Sequence, residues 1–108
     1  MSATVLTHQD NGLSIEVRVG GTLSLQLDES PTTGYTWVDR STSSLLKLES
    51  SDFSLDDAVA VGRGGRRSFV FSVGAPGIAS LRLALVHAWE ADAPAVDEFV
   101  VLVKAAAR

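Results

Sequence analysis

The chain has 108 residues, 45% of them apolar and 20% charged, with a formal net charge of -4; these are the proportions of a globular domain rather than of a disordered segment. A chain of this length can bury roughly two-thirds of the surface its unfolded form exposes, enough for one core and not two, so residues 1–108 are expected to form one domain. The 13 acidic and 9 basic side chains form no basic stripe, which argues against nucleic acid as a partner. The absence of cysteine excludes a disulfide framework, a thiolate zinc site and a thiol nucleophile. No apolar run is long enough for a membrane-spanning helix, and Met1-Ser2-Ala3-Thr4 leads into a strand-like run without the pattern of a signal peptide.

In chain order, a first strand is expected from Thr4 to Gln9, followed by a turn at Asn11-Gly12. Leu13 to Val19 then alternates apolar and polar residues with period two, as does Thr22 to Leu27, and such alternation marks a strand with one wet face. Gly20-Gly21 between these two runs reads as a two-residue hairpin turn. Further strands are expected from Tyr35 to Arg40, Leu45 to Glu49 with a kinked extension to Leu55, Arg67 to Val73, Ile78 to Val86 and Val96 to Lys104. No segment carries a helical period. Seven to eight mostly antiparallel strands with turn signals between them predict an all-β, immunoglobulin-like sandwich. Its inner faces are assigned to Phe69, Phe71 and Val73, to Leu81, Leu83 and Leu85, and to Phe99, Val101 and Val103. Val100 and Leu102 make the last strand apolar on both sides, as expected of a central or covered strand.

If each connection reverses the chain, two strands separate the loop at Ser30 to Gly34 from the loop around Gly62. Two more separate that loop from the one running from His87 to Pro94. An even number of strands returns the chain to the same end, so these three loops are expected side by side where sandwich domains usually bind. The condition is that residues 49–57 hold no extra reversed strand.

The first of these loops contains Pro31-Thr32-Thr33-Gly34, in which proline fixes one φ and glycine frees another, displaying the two threonines between them. Tyr35 and Trp37 follow on one strand face and read as core anchors at its base. The second loop, Gly62-Arg63-Gly64-Gly65, has three glycines in four positions, which lets the backbone approach another surface closely. A phosphate cradle is the poorer reading because no helix N-terminus follows; Arg63, Arg66 and Arg67 read as solvated or rim charges. In the third loop, His87-Ala88-Trp89 ends a long strand, and Trp89 suits either the core or an interface.

Catalytic options are few. His8 and His87 fall on different strands, both near the end expected to carry the loops, but neither a zinc set nor a Ser-His-Asp arrangement converges on them. Asp56-Asp57 and Asp97-Glu98 read as solvated charges. Neither enzymatic activity nor a metal or other cofactor is expected.

Taken together, the three loop motifs resemble those of the chagasin-like inhibitors of papain-family cysteine proteases. That family carries Asn-Pro-Thr-Thr-Gly-Tyr, Gly-x-Gly-Gly and Arg-Pro-Trp or Arg-Pro-Phe, in this order, on an immunoglobulin-like sandwich. Here the motifs read Ser30-Pro31-Thr32-Thr33-Gly34-Tyr35, Gly62-Arg63-Gly64-Gly65 and His87-Ala88-Trp89. The resemblance implies a reversible inhibitor, monomeric when free, whose loops wedge into a papain-family protease and occlude its cleft. Thr32 and Thr33 would lie near the catalytic cysteine, with Pro31 setting their geometry and Gly34 allowing close approach. Gly62, Arg63, Gly64 and Gly65 would pair along one wall, and His87, Ala88 and Trp89 would pack on the other. Two departures stand out: Ser30 replaces asparagine, and His87-Ala88 replaces a permanent cation and a rigid residue with a titratable ring and a flexible residue. The rival readings are an immunoglobulin-like adhesion or accessory module with a non-protease partner, and a lectin-like module that stacks a sugar on Trp89.

Overall fold

The computed structural model describes residues 3–30, 34–41, 43–55, 65–89 and 94–107. Its strands are β1 (Ala3–Thr7), β2 (Ser14–Arg18), β3 (Thr22–Glu29), β4 (Tyr35–Asp39), β5 (Leu46–Leu55), β6 (Gly65–Val73), β7 (Gly77–His87) and β8 (Asp97–Ala106). All eight correspond to runs expected from the alternating pattern. They form two four-stranded sheets, β1-β3-β6-β5 and β2-β8-β7-β4. The pairings β3·β6, β5·β6, β4·β7 and β7·β8 are antiparallel, whereas β1·β3 and β2·β8 are parallel.

The parallel pairs correct the expected hairpin at Gly20-Gly21. β2 and β3 lie in different sheets, so this turn carries the chain across the sandwich instead of joining neighbours. Gly20 has a φ of 91° and donates its N–H to the Val73 carbonyl at 2.9 Å, while the Gly21 carbonyl accepts from the Val73 N–H at 3.1 Å. The glycines therefore tie the turn to the end of β6. The first strand is also shorter than expected. It stops at Thr7, because His8–Asp10 wind into a 3-10 turn in which the Asp10 carboxylate accepts the Thr7 N–H at 2.8 Å.

The core is made where the alternating apolar faces of the sheets meet. Leu23, Leu25, Leu27, Phe69, Phe71 and Val73 come from one sheet, and Trp37, Leu81, Leu83, Phe99, Val101 and Val103 from the other. Leu85, expected among them, is only partly buried against this cluster. Val100 and Leu102 are partly buried on the opposite face of β8, which is central in its sheet as its two-sided apolar pattern implied.

Residues 46–55 are one strand with a register shift between Leu48 and Ser50. The displaced Glu49 carboxylate accepts a hydrogen bond from the Ser72 hydroxyl at 2.7 Å. The expected kink is thus a bulge, which bends a strand without reversing it. No reversed strand intervenes between Leu46 and Leu55, and the counting argument that groups the loops holds over that stretch.

Candidate functional site

The strand registers define one end of the sandwich. β3 finishes at Glu29 opposite Gly65, and Gly65 in turn lies opposite Leu55, so the end of β3, the end of β5 and the start of β6 are neighbours. In the other sheet, Tyr35 at the start of β4 lies opposite His87 at the end of β7. Pro31, Thr32, Thr33, Gly62, Arg63 and Gly64 lie outside the described residues. Of the expected site residues, Gly34, Gly65, His87, Ala88 and Trp89 are described.

What joins the two halves of this end is a buried carboxylate. Glu29 follows Leu23, Leu25 and Leu27 on the inward face of β3 and is itself buried. Its Oε1 accepts the backbone N–H of Trp37 at 2.8 Å and the Thr36 hydroxyl at 3.0 Å, both on the facing sheet. Arg67 binds it in fork geometry, with Nε to Oε1 at 3.3 Å and Nη2 to Oε2 at 2.8 Å. The Arg67 guanidinium also lies 5.3 Å from the centre of the Phe53 ring, within range of a cation–π contact. The Trp37 indole donates to the Asp28 carbonyl at 2.9 Å, a second link across the sandwich.

Burial pushes the Glu29 carboxyl toward protonation. The hydrogen bonds from Arg67, Trp37 and Thr36, together with the Arg67 charge, outweigh it and hold the group below its ordinary value of 4.5. Arg67 is therefore not the solvated or rim charge expected from the sequence: its side chain is 25% exposed and paired. Arg66 does fit that expectation, being exposed and 3.9 Å from an exposed Asp28. The signal for the buried pair was present in the alternation, since Glu29 is in phase with Leu23, Leu25 and Leu27, and Arg67 with Phe69, Phe71 and Val73.

The aromatic residues divide between core and surface. Trp37 is buried as expected of an anchor, at 5% exposure, whereas Trp89 is 69% exposed. Tyr35, expected in the core beside Trp37, is only partly buried and instead stacks on His87, with ring centroids 4.3 Å apart. The backbone brings the first and third loops together: Ala88 N–H donates to the Gly34 carbonyl at 2.9 Å. Gly34 has a φ of 80°, and a Cβ placed there would come within 3.3 Å of the Trp89 ring. The backbone conformation at this position favours glycine, and a side chain there would also press on the indole. Among the described residues, no three of His, Asp and Glu converge as a metal site.

The arrangement offers shape and apolar surface on a braced frame, which suits docking to another protein. A family model described as "Chagasin family peptidase inhibitor I42" matches residues 16–103. Chagasin of Trypanosoma cruzi is 28% identical over 106 residues, spanning 93% of this chain and 96% of that protein. Among solved structures, a cysteine protease inhibitor from Entamoeba histolytica superposes with a TM-score of 0.84 at 17% identity, covering 96% of both chains. PbICP-C, solved in complex with falcipain-2, superposes with a TM-score of 0.60 at 13% identity, covering 99% of this chain and 90% of the other. These two likenesses establish the fold, and the family match runs from β2 into β8. The chain belongs to the chagasin family of peptidase inhibitors.

Proposed function

We propose that this protein reversibly inhibits papain-family cysteine proteases by wedging three loops, built on residues 31–34, 62–65 and 87–89, into the active-site cleft. The observation that carries the reading is the convergence of Gly34, Gly65 and Trp89 at one end of the sandwich, at the edges of the three motifs. Thr32 and Thr33 would face the catalytic cysteine, with Pro31 and Gly34 setting the course of the backbone. Gly62, Arg63, Gly64 and Gly65 would lie along one wall of the cleft. Trp89, held up by His87 and Ala88, would offer its indole to an apolar surface on the other.

Inhibition of this kind needs no bond to be made. The cleft is filled by loops whose ends are fixed in a sheet, so few torsions have to be frozen on docking and more of the contact energy appears as affinity. A large, exposed, amphipathic ring such as Trp89 is the residue type that most often carries such an interface. The test is a steady-state inhibition assay with papain as the probe enzyme. Submicromolar competitive inhibition is expected, with Thr33→Ala and Trp89→Ala each weakening it by about tenfold or more, as for interface residues that matter. Wild-type protein without effect on papain would refute the reading, and inhibition indifferent to both substitutions would refute the loop assignment.

A further inference from the structure

Three rings stand in file at the rim of the candidate site. Tyr35 and His87 face each other across the β4·β7 register, with centroids 4.3 Å apart and planes inclined by 29°. His87 and Trp89 follow at 4.6 Å and 30°. The far edge of the Trp89 indole closes on Gly34, where a Cβ would lie 3.3 Å from Cζ3 and 3.5 Å from Cη2. Offset, inclined rings at such spacing attract through their quadrupoles as well as through buried area.

The middle ring is held for its faces rather than for its nitrogen. His87 Nδ1 is buried and has no hydrogen-bond partner among the described residues. Leaving a polar atom in that state is unfavourable, and the ring contacts, stacked on Tyr35 and tilted against Trp89, give His87 a compensating role. The ion pairs of Arg66 with Asp28, Arg67 with Glu29 and Arg82 with Glu98 do not involve His87. Trp89 is 69% exposed, and its indole lies against the His87 ring and against Gly34.

We propose that His87, seated on Tyr35, is a positioning residue: it fixes the Trp89 indole against Gly34 and so makes the first and third loops a single preorganised surface. This extends the inhibitory reading above and rests on it for its effect on affinity. The physical gain is that the two side-chain torsions of Trp89 are restricted before the partner arrives, so less ordering is left to docking. A ring at 87 is what the role demands, and its charge is not.

The test has two independent readouts. In the free protein, 15N relaxation of the two indole N–H groups compares Trp89 with Trp37, which is buried and bonded to the Asp28 carbonyl. Trp89 should be nearly as ordered as Trp37 in the wild type and in His87→Phe, and clearly more mobile in His87→Ala and Tyr35→Ala. Unchanged Trp89 order in His87→Ala would overturn the proposal whether or not the protein inhibits any protease. In the papain assay, His87→Ala should weaken inhibition roughly three- to tenfold, the worth of an aromatic contact, and His87→Phe should restore it. With Trp89→Ala already in place, His87→Ala should change inhibition by less than about twofold, since residues acting as a unit are not additive. Full additivity of the two substitutions would mean that His87 acts on the protease directly, which would also overturn the proposal.

Discussion

The two ends of the sandwich are closed by different kinds of contact. At the end where β2 passes to β3 and β6 to β7, closure rests on apolar burial and backbone hydrogen bonds. Leu45, Leu46, Val73, Ala79 and Ala105 are buried, Gly74 N–H donates to the Leu45 carbonyl at 2.8 Å, and Gly20 and Gly21 bracket Val73. At the loop end the contacts are a buried carboxylate, a guanidinium and a row of rings. Hydrophobic closure stabilises without strong directional preference. Charge-assisted hydrogen bonds to Glu29 stabilise only in one geometry, and a surface that must present loops in fixed positions benefits from that directionality. The difference separates an end that holds the fold from an end that also aims it.

Substitutions can break that comparison. The largest effect is expected from Arg67→Ala, which leaves the Glu29 carboxylate buried without its counter-ion and should cost about 3 kcal/mol or more in a denaturant titration. It should also weaken inhibition by the remaining folded protein, because Glu29 holds Thr36 and Trp37 at the base of the first loop. A cost no greater than that of an average surface substitution would show that the brace is not structural. Leu45→Ala, at the opposite end, should cost about 2 kcal/mol through lost burial and an unfilled cavity. Its inhibition constant, corrected for the folded fraction, should match the wild type. A change in affinity there would mean that the two ends are coupled.

The smallest effect sharpens the electrostatic half. The folded-state pKa of Glu29 is lowered, so the stability this group contributes is fully present above its ordinary value of 4.5 and is lost as pH falls from there through the folded value. Wild-type stability should therefore drop faster than that of Glu29→Gln over that acidic window, with the two curves running parallel at higher pH. Thermal melts at a series of pH values between neutral and strongly acidic would measure this, and equal slopes for the two proteins would remove Glu29 from the account.

Much of the fold could be read from alternation. Thr22 to Leu27 and Arg67 to Val73 present one apolar face each, and a period of two is unambiguous once the residues are counted. Chain reversals then grouped the loop ends, because the connections cross between sheets yet still reverse direction. Pairing was harder to read. Gly20-Gly21 has the composition of a hairpin, but turn residues specify a local change of direction and not which sheet the next strand joins. The expectation for Arg67 failed for a related reason: charge alone suggests solvent, and only its phase with Phe69 and Phe71 points inward.

The sequence by itself determined the strand set and most of the inward apolar faces, because each of these is written in neighbouring residues and their spacing. The tertiary structure alone decided that Glu29 meets Arg67 and Trp37, and that His87 stands between Tyr35 and Trp89. It also decided the place of Trp89, which the sequence left open between core and interface and which is exposed. Such contacts join residues far apart in the chain, and they depend on which sheet each strand enters and at what register, quantities that local propensity does not encode.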